Sequence, residues 1–237
     1  MQAWGRTESE DIDFDTDWDD EPTRRHFISK VCSILALELA VTAVITSVFI
    51  FNEDAKFWLY DHIYIFIVGA VGAAIISFVL FCYRSVARTV PINYILLIAF
   101  TLFQSIIVSC ICIFYSTDKI FYALGITIAV CVGLALFAIF APCDFTGCGP
   151  YLCVLMIVLV LLGLLMFFIK SKILVWIYVG LGLLLFSLYL VYDIQLMVGK
   201  RRNQYSEDDY IIAALSIYID VIHIFIYILT IFGLLDN

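Results

Sequence analysis

The chain has 237 residues, 64% of them hydrophobic, and a mean hydropathy of +1.07. That is far more apolar surface than one water-soluble domain can bury, which excludes a single soluble domain. The formal net charge of −8 belongs mostly to one tail (Glu8, Glu10, Asp11, Asp13, Asp15, Asp17, Asp19, Asp20, Glu21), so it does not imply a cationic partner, and nucleic acid is excluded as one.

Residues 1–30 open with that acidic run and hold too few apolar side chains to fold alone, so a disordered tail is expected. No apolar core follows a basic start, which argues against a signal peptide. Alternating aspartates suggest a calcium loop. With Asp11 as its first position, however, Thr16 falls where the loop needs glycine and Pro22 where it needs a bidentate glutamate.

Seven apolar runs follow, near the roughly 20 residues that a helix needs to cross a hydrocarbon core: 31–51, 62–82, 92–115, 120–141, 150–169, 173–198 and 210–235. An all-α polytopic membrane protein is therefore expected. The first span carries the charged Glu38, and the segment Asn52–Asp61 after it reads as a polar, acidic loop. Gly69-Ala-Val-Gly-Ala-Ala74 in the second lets neighbouring helices approach closely. A basic turn with Arg84 and Arg88 ends at Pro91, suited to starting the third span, which holds Gln104. Cys143 and Cys148 share the turn between the fourth and fifth spans and could pair or bind metal, but no second ligand pair with zinc-like spacing accompanies them. The remaining cysteines lie mostly in apolar runs as small hydrophobes and form no disulfide framework. The sixth span stops at Gly199 before the basic Lys200-Arg-Arg202, and the acidic Glu207-Asp-Asp209 leads into the seventh.

Lysine and arginine near span ends set orientation. Arg24, Arg25, Lys30, Arg84, Arg88, Lys200, Arg201 and Arg202 lie on the N-terminal side, against Lys56, Lys119, Lys170 and Lys172 on the other, so a cytosolic N-terminus is expected. If the seventh run re-enters instead of crossing, the C-terminus is cytosolic too. No Asn-x-Ser/Thr acceptor occurs, which excludes a glycosylated luminal domain.

The last two spans each carry a lone aspartate, Asp193 and Asp220. An ionisable group inside a membrane helix costs roughly 2.5–3.5 kcal/mol on insertion scales, so it marks a functional site by default. The two spans should be antiparallel neighbours. Asp193 lies roughly 10 Å along the helix before Lys200 and Asp220 roughly 16 Å after Asp209, which puts both a few turns from the same face. Two carboxylates in one low-dielectric site cannot readily both ionise, so the pair is expected to share a proton and respond to pH. Three uses are open: coordination of a hard cation such as calcium, intramembrane proteolysis, or a purely structural hydrogen bond between helices. Tyr192-Asp193 resembles the first protease motif, but Tyr218 and Ile219 stand where the second would need Gly-x-Gly before Asp220, which argues against an enzyme. A seven-helix receptor is disfavoured, since receptor motifs are missing at the third span and the seventh has no lysine for a retinal Schiff base.

From Arg24 onward the chain resembles the transmembrane Bax-inhibitor-motif family, and within it the Golgi anti-apoptotic branch in its poxvirus form. The matching residues are Lys30-Val-Cys-Ser-Ile-Leu, Pro91-Ile-Asn-Tyr-Ile-Leu-Leu with Phe100-Thr-Leu, Tyr192-Asp-Ile-Gln, and most specifically Glu207-Asp-Asp-Tyr-Ile-Ile-Ala-Ala-Leu-Ser-Ile-Tyr-Ile-Asp220. The resemblance implies six helices around a central seventh, and a pH-sensitive calcium leak of Golgi and endoplasmic-reticulum membranes that lowers stored calcium and protects a host cell from apoptosis. The alternative is a non-conducting membrane scaffold that binds host apoptosis or calcium-release proteins. Asp193 and Asp220 would be the proton-sensing pair and the calcium ligands, and Glu207 would stand at the cytosolic mouth. No tightly bound cofactor is implied; calcium and protons are the permeant and regulatory ions, lipids the surrounding partner, and a homo-oligomer is open.

Three positions depart from the family pattern. Glu38 stands where relatives commonly carry glutamine, and Gln104 where they commonly carry glutamate, which reads as an exchange between positions facing each other across the bundle. His223, on the same helical face as Asp220, stands where relatives often have asparagine and could couple the pair to pH.

Overall fold

The computed structural model describes residues 21–199 and 203–235; the expected acidic tail up to residue 20 and the basic cluster 200–202 lie outside the described residues. Helix α1 covers Glu21–Phe51 and so takes in residues 21–30, expected to belong to the tail. Arg24, Phe27 and Val31 recur at helical spacing and are all buried, so packing rather than local composition orders this segment.

The expected loop Asn52–Asp61 is also helical. Asn52 accepts hydrogen bonds from the backbone of Asp54 and Ala55 at 3.0 and 3.2 Å, and two acidic residues fill the first turn of α2 (Glu53–Asp61). Its Leu59 is buried against Cys110 and Ile113. Next come α3 (Ile65–Cys82), the short basic α4 (Arg84–Arg88) and α5 (Ile92–Cys112), which starts just after Pro91. A Cβ on Gly72 would meet the Phe103 ring of α5 at 2.8 Å, so the small-residue stretch is a packing surface. Then follow α6 (Thr117–Phe140), α7 (Gly149–Phe168), α8 (Lys172–Val198), a 3-10 turn at Glu207–Asp209 and α9 (Tyr210–Leu235).

Seven of these helices are long and apolar enough to cross a membrane: α1, α3, α5, α6, α7, α8 and α9 with its preceding turn. In the last, 78% of the most apolar window is buried, against 11% in α7, which makes α9 the centre of the bundle. It packs against α8, α1, α6 and α5. Ala213 and Ala214 are fully buried and let those neighbours approach. Peripheral helices leave large apolar side chains such as Phe78, Leu161 and Phe167 exposed, as lipid-facing surfaces do. At 26 residues α9 is about 39 Å long, enough to cross, so its length favours a span over a re-entrant segment.

Candidate functional site

Helices α8 and α9 lie side by side, and the described residues of the linker between them, Gly199 and 203–206, sit at the end of the bundle that also carries the start of α1. Asp193 is 6% exposed and Asp220 3%, and their carboxyls interact directly. Oδ2 of Asp220 is buried with no hydrogen-bond partner among the described residues. Both aspartates line a cavity of about 630 Å³ whose lining also includes the exposed Arg84, Asn203 and Gln204 and the buried Phe186. An orphaned carboxyl oxygen beside such a cavity is costly unless a proton or cation satisfies it.

The linker closes over the pair. The Tyr205 hydroxyl donates to Oδ1 of Asp193 at 3.0 Å and lies 3.5 Å from the Ser216 hydroxyl. Burial holds the Tyr205 phenol well above the ordinary tyrosine range, helped by the Asp193 charge, so the group remains a donor. Two arginines fix the linker from outside. Arg24 of α1 donates to the Tyr205 carbonyl at 3.2 Å and to the Gln204 side chain. Arg88 of α4 donates to Oδ1 of Asp209 at 2.9 Å through Nε and to the Ser206 hydroxyl at 2.8 Å. Ser206 and Asp209 close a capping box on the 3-10 turn, the Ser206 hydroxyl and amide both reaching Oδ2 of Asp209 at 2.6 and 3.2 Å.

The sequence-based candidates fall into four groups. Asp193 and Asp220 come together as expected. Glu207 is exposed at the head of the 3-10 turn, and the acidic side chain that engages the mouth is Asp209, two residues on. His223 sits behind the cavity wall: its ring stacks on Phe186 with centroids 4.3 Å apart, and its Nδ1 lies 2.8 Å from the Ile219 carbonyl. Glu38 and Gln104 are both buried where α1 meets α5, but the direct partner of Glu38 is Thr101, at 3.1 Å, about one turn from Gln104.

Tyr205, Arg24, Arg88 and Asp209 escape a search for costly charges in apolar runs, because they lie at span ends where charge is ordinary. The Ser206-x-x-Asp209 spacing was the signal available for the mouth. Gln195 is a further structural residue of the site. Its amide nitrogen donates to the Ala138 and Cys143 carbonyls at 3.2 and 3.1 Å, and its Oε1 accepts from the Phe145 amide at 2.8 Å. It thereby ties the turn after α6 to α8, two residues beyond Asp193. Cys143 and Cys148 in that turn are free thiols, and no cluster of three or more metal-binding side chains occurs among the described residues.

The family profile described as inhibitor of apoptosis-promoting Bax1 matches residues 24–237, the whole of the bundle. The chain belongs to the Bax inhibitor family. It is similar to protein lifeguard 3 of Homo sapiens, 34% identical over 221 residues that cover 92% of this chain and 71% of that one. Protein lifeguard 3 of Mus musculus is 32% identical over 93% of this chain and 72% of its own length, and protein lifeguard 4 of Mus musculus 32% over 87% and 84%. This Bax inhibitor family protein is thus a multi-pass, non-enzymatic membrane protein of a family named for restraining apoptosis. The matched span holds both aspartates, Arg24, Arg88 and the linker.

Proposed function

We propose that this protein is a pH-sensitive, calcium-permeable leak of Golgi and endoplasmic-reticulum membranes, with a cytosolic N-terminus, that lowers stored calcium and so protects a host cell from apoptosis. One observation carries the reading: a single cavity of about 630 Å³ is lined by the exposed Arg84 and by two buried aspartates, one with an oxygen lacking a partner among the described residues. Calcium takes six to eight oxygen ligands, and the carboxyls of Asp193 and Asp220 with the Ser216 hydroxyl offer oxygens of the kind it prefers. Protons compete for the same carboxyl oxygens, which gives pH a direct effect on entry. With the linker down, Tyr205 stands over Asp193, and Arg24 and Arg88 hold it there. Conduction on this account requires the linker to lift. The organelles and the host-virus setting follow the resemblance to the Golgi anti-apoptotic branch.

Calcium efflux from liposomes loaded with the ion and containing the purified protein tests the proposal. Release above that of protein-free liposomes is expected. Liposomes that hold folded protein and release calcium no faster than empty ones would exclude a leak and leave the non-conducting scaffold that acts by binding apoptosis or calcium-release proteins.

A further inference from the structure

A second polar arrangement lies inside the bundle on the other side of α9. Tyr218 precedes Asp220 by two residues, about 200° around the helix. Its hydroxyl meets that of Thr42 on α1 at 2.7 Å. Here α1 and α5 are joined by three rungs in one register: Thr101 to Glu38 at 3.1 Å, Ser105 to Thr42 at 3.1 Å, and Ser109 to Thr46 at 3.3 Å. All six side chains are buried.

Each hydroxyl on α5 has one proton and two acceptors within reach. Thr101 lies 2.9 Å from the Leu97 carbonyl as well as 3.1 Å from Oε1 of Glu38; Ser105 and Ser109 likewise lie 2.6 and 2.7 Å from the carbonyls one turn back. When Thr101 turns to its own helix, Glu38 keeps no donor from this seam. Oε2 of Glu38 is buried without a hydrogen-bond partner among the described residues, and no ion pair with a cation reaches it there. A carboxylate with at most one hydrogen bond and no counter-ion is not sustained in such surroundings, whereas a neutral carboxylic acid is.

The groups around it offer no counter-charge. From α5 the groups at this seam are hydroxyls and the neutral amide of Gln104. From α9 the facing titratable group is the Tyr218 phenol. The ionisable residues of α2, Glu53, Asp54, Lys56 and Asp61, belong to the opposite end of α1, and Asp193 of α8 meets α9 on its other face. On α1 itself, Lys30 places its ammonium 3.2 Å from the Tyr210 ring centroid and Arg24 is engaged with the linker.

We propose that Glu38 is a proton-binding site separate from the aspartate pair, and that its protonated form holds α1 against α5 and α9. Its loss of a proton would place an unpaired charge between these helices. Arg24 rides on α1, so the same event would loosen the clamp on Tyr205.

Infrared spectroscopy of the full-length protein in lipid tests this without any flux assay, through the carbonyl band of a protonated carboxylic acid. At neutral pH the Asp193→Asn/Asp220→Asn double variant should retain such a band, and adding Glu38→Gln should remove it. Thr101→Val, in the otherwise native chain, should move the band to higher frequency, because Oε1 loses its hydrogen bond; this arm keeps Glu38 in place and serves if Glu38→Gln does not fold. A double variant without the band, a band that survives Glu38→Gln, or a frequency that Thr101→Val leaves unchanged would overturn the proposal.

Discussion

Tyr205 donates its hydroxyl to Oδ1 of Asp193 at 3.0 Å from a linker that Arg24 and Arg88 grip from two different helices. The residue that covers the aspartate pair is therefore held in place by side chains that make no contact with the pair itself. Removing the cover and removing the grips should have related effects, and they can be separated.

Tyr205→Phe deletes the hydrogen bond to Asp193 but keeps the ring. A hydrogen bond to a charged group contributes roughly 1.5–3 kcal/mol, and one between neutral groups about 1 kcal/mol. The variant should raise calcium efflux at a given pH and speed amide exchange in residues 203–209, which hydrogen-exchange mass spectrometry reads directly. Efflux and exchange both equal to those of the native chain would remove Tyr205 from the gate.

Arg88 serves two acceptors, Asp209 and Ser206, with one planar group, and its side chain is 36% exposed while that of Asp209 is 8% exposed. Solvent screening reduces the ion-pair part, so the loss on Arg88→Ala is expected to be about 1–2 kcal/mol. Lysine keeps the charge but not the fork, and Arg88→Lys should recover only part of the loss. Thermal unfolding in detergent together with efflux tests the order native, lysine, alanine. Full recovery by lysine would show that charge alone matters.

The seven spans are legible in the sequence because apolar runs of about 20 residues match a hydrocarbon core, and the aspartates stand out because a charge inside such a run is rare and expensive. Composition misplaces the edges of the bundle. Residues 21–30 and the segment Glu53–Asp61 look polar in composition, yet Phe27 and Leu59 anchor both as helices, and such tertiary anchoring is not visible in a hydropathy window. The mouth is legible in part: Glu207 is the acidic residue that the resemblance points to, but Ser206 and Asp209 carry the capping box, and the arginine that engages Asp209, Arg88, comes from about 120 positions away. Glu38 and Gln104 are both buried between α1 and α5, while the register that pairs Glu38 with Thr101 needs the packed helices.

Gly199 has φ of +73°, in a region that other residues adopt only with strain, and a Cβ there would overlap the Arg24 guanidinium. Gly199→Ala is expected to cost about 1–3 kcal/mol and to release Arg24 from the linker. Unfolding midpoints for Gly199→Ala, Arg24→Ala and the double variant test this. The double variant should be less destabilised than the sum of the single ones, because both remove the same contact. Simple additivity would mean that the glycine matters for its backbone alone.

Gln195→Leu leaves the Ala138 and Cys143 carbonyls and the Phe145 amide without their partner. At about 1 kcal/mol for each lost hydrogen bond, a loss of roughly 2–3 kcal/mol is expected, with faster labelling of the thiols Cys143 and Cys148. Unchanged labelling would show that the turn is held by other contacts, among them the bonds from Asn203 to Thr146.

The central claim is that Asp193 and Asp220 together set how pH controls calcium passage. Its most direct test is calcium efflux from proteoliposomes across a series of pH values for the native chain, Asp193→Asn and Asp220→Asn. Protons and calcium compete for the same oxygens, so native efflux should fall as pH is lowered, and over the range in which Glu38 keeps its proton each asparagine variant should lose that dependence. Both variants retaining the native pH profile would contradict the account.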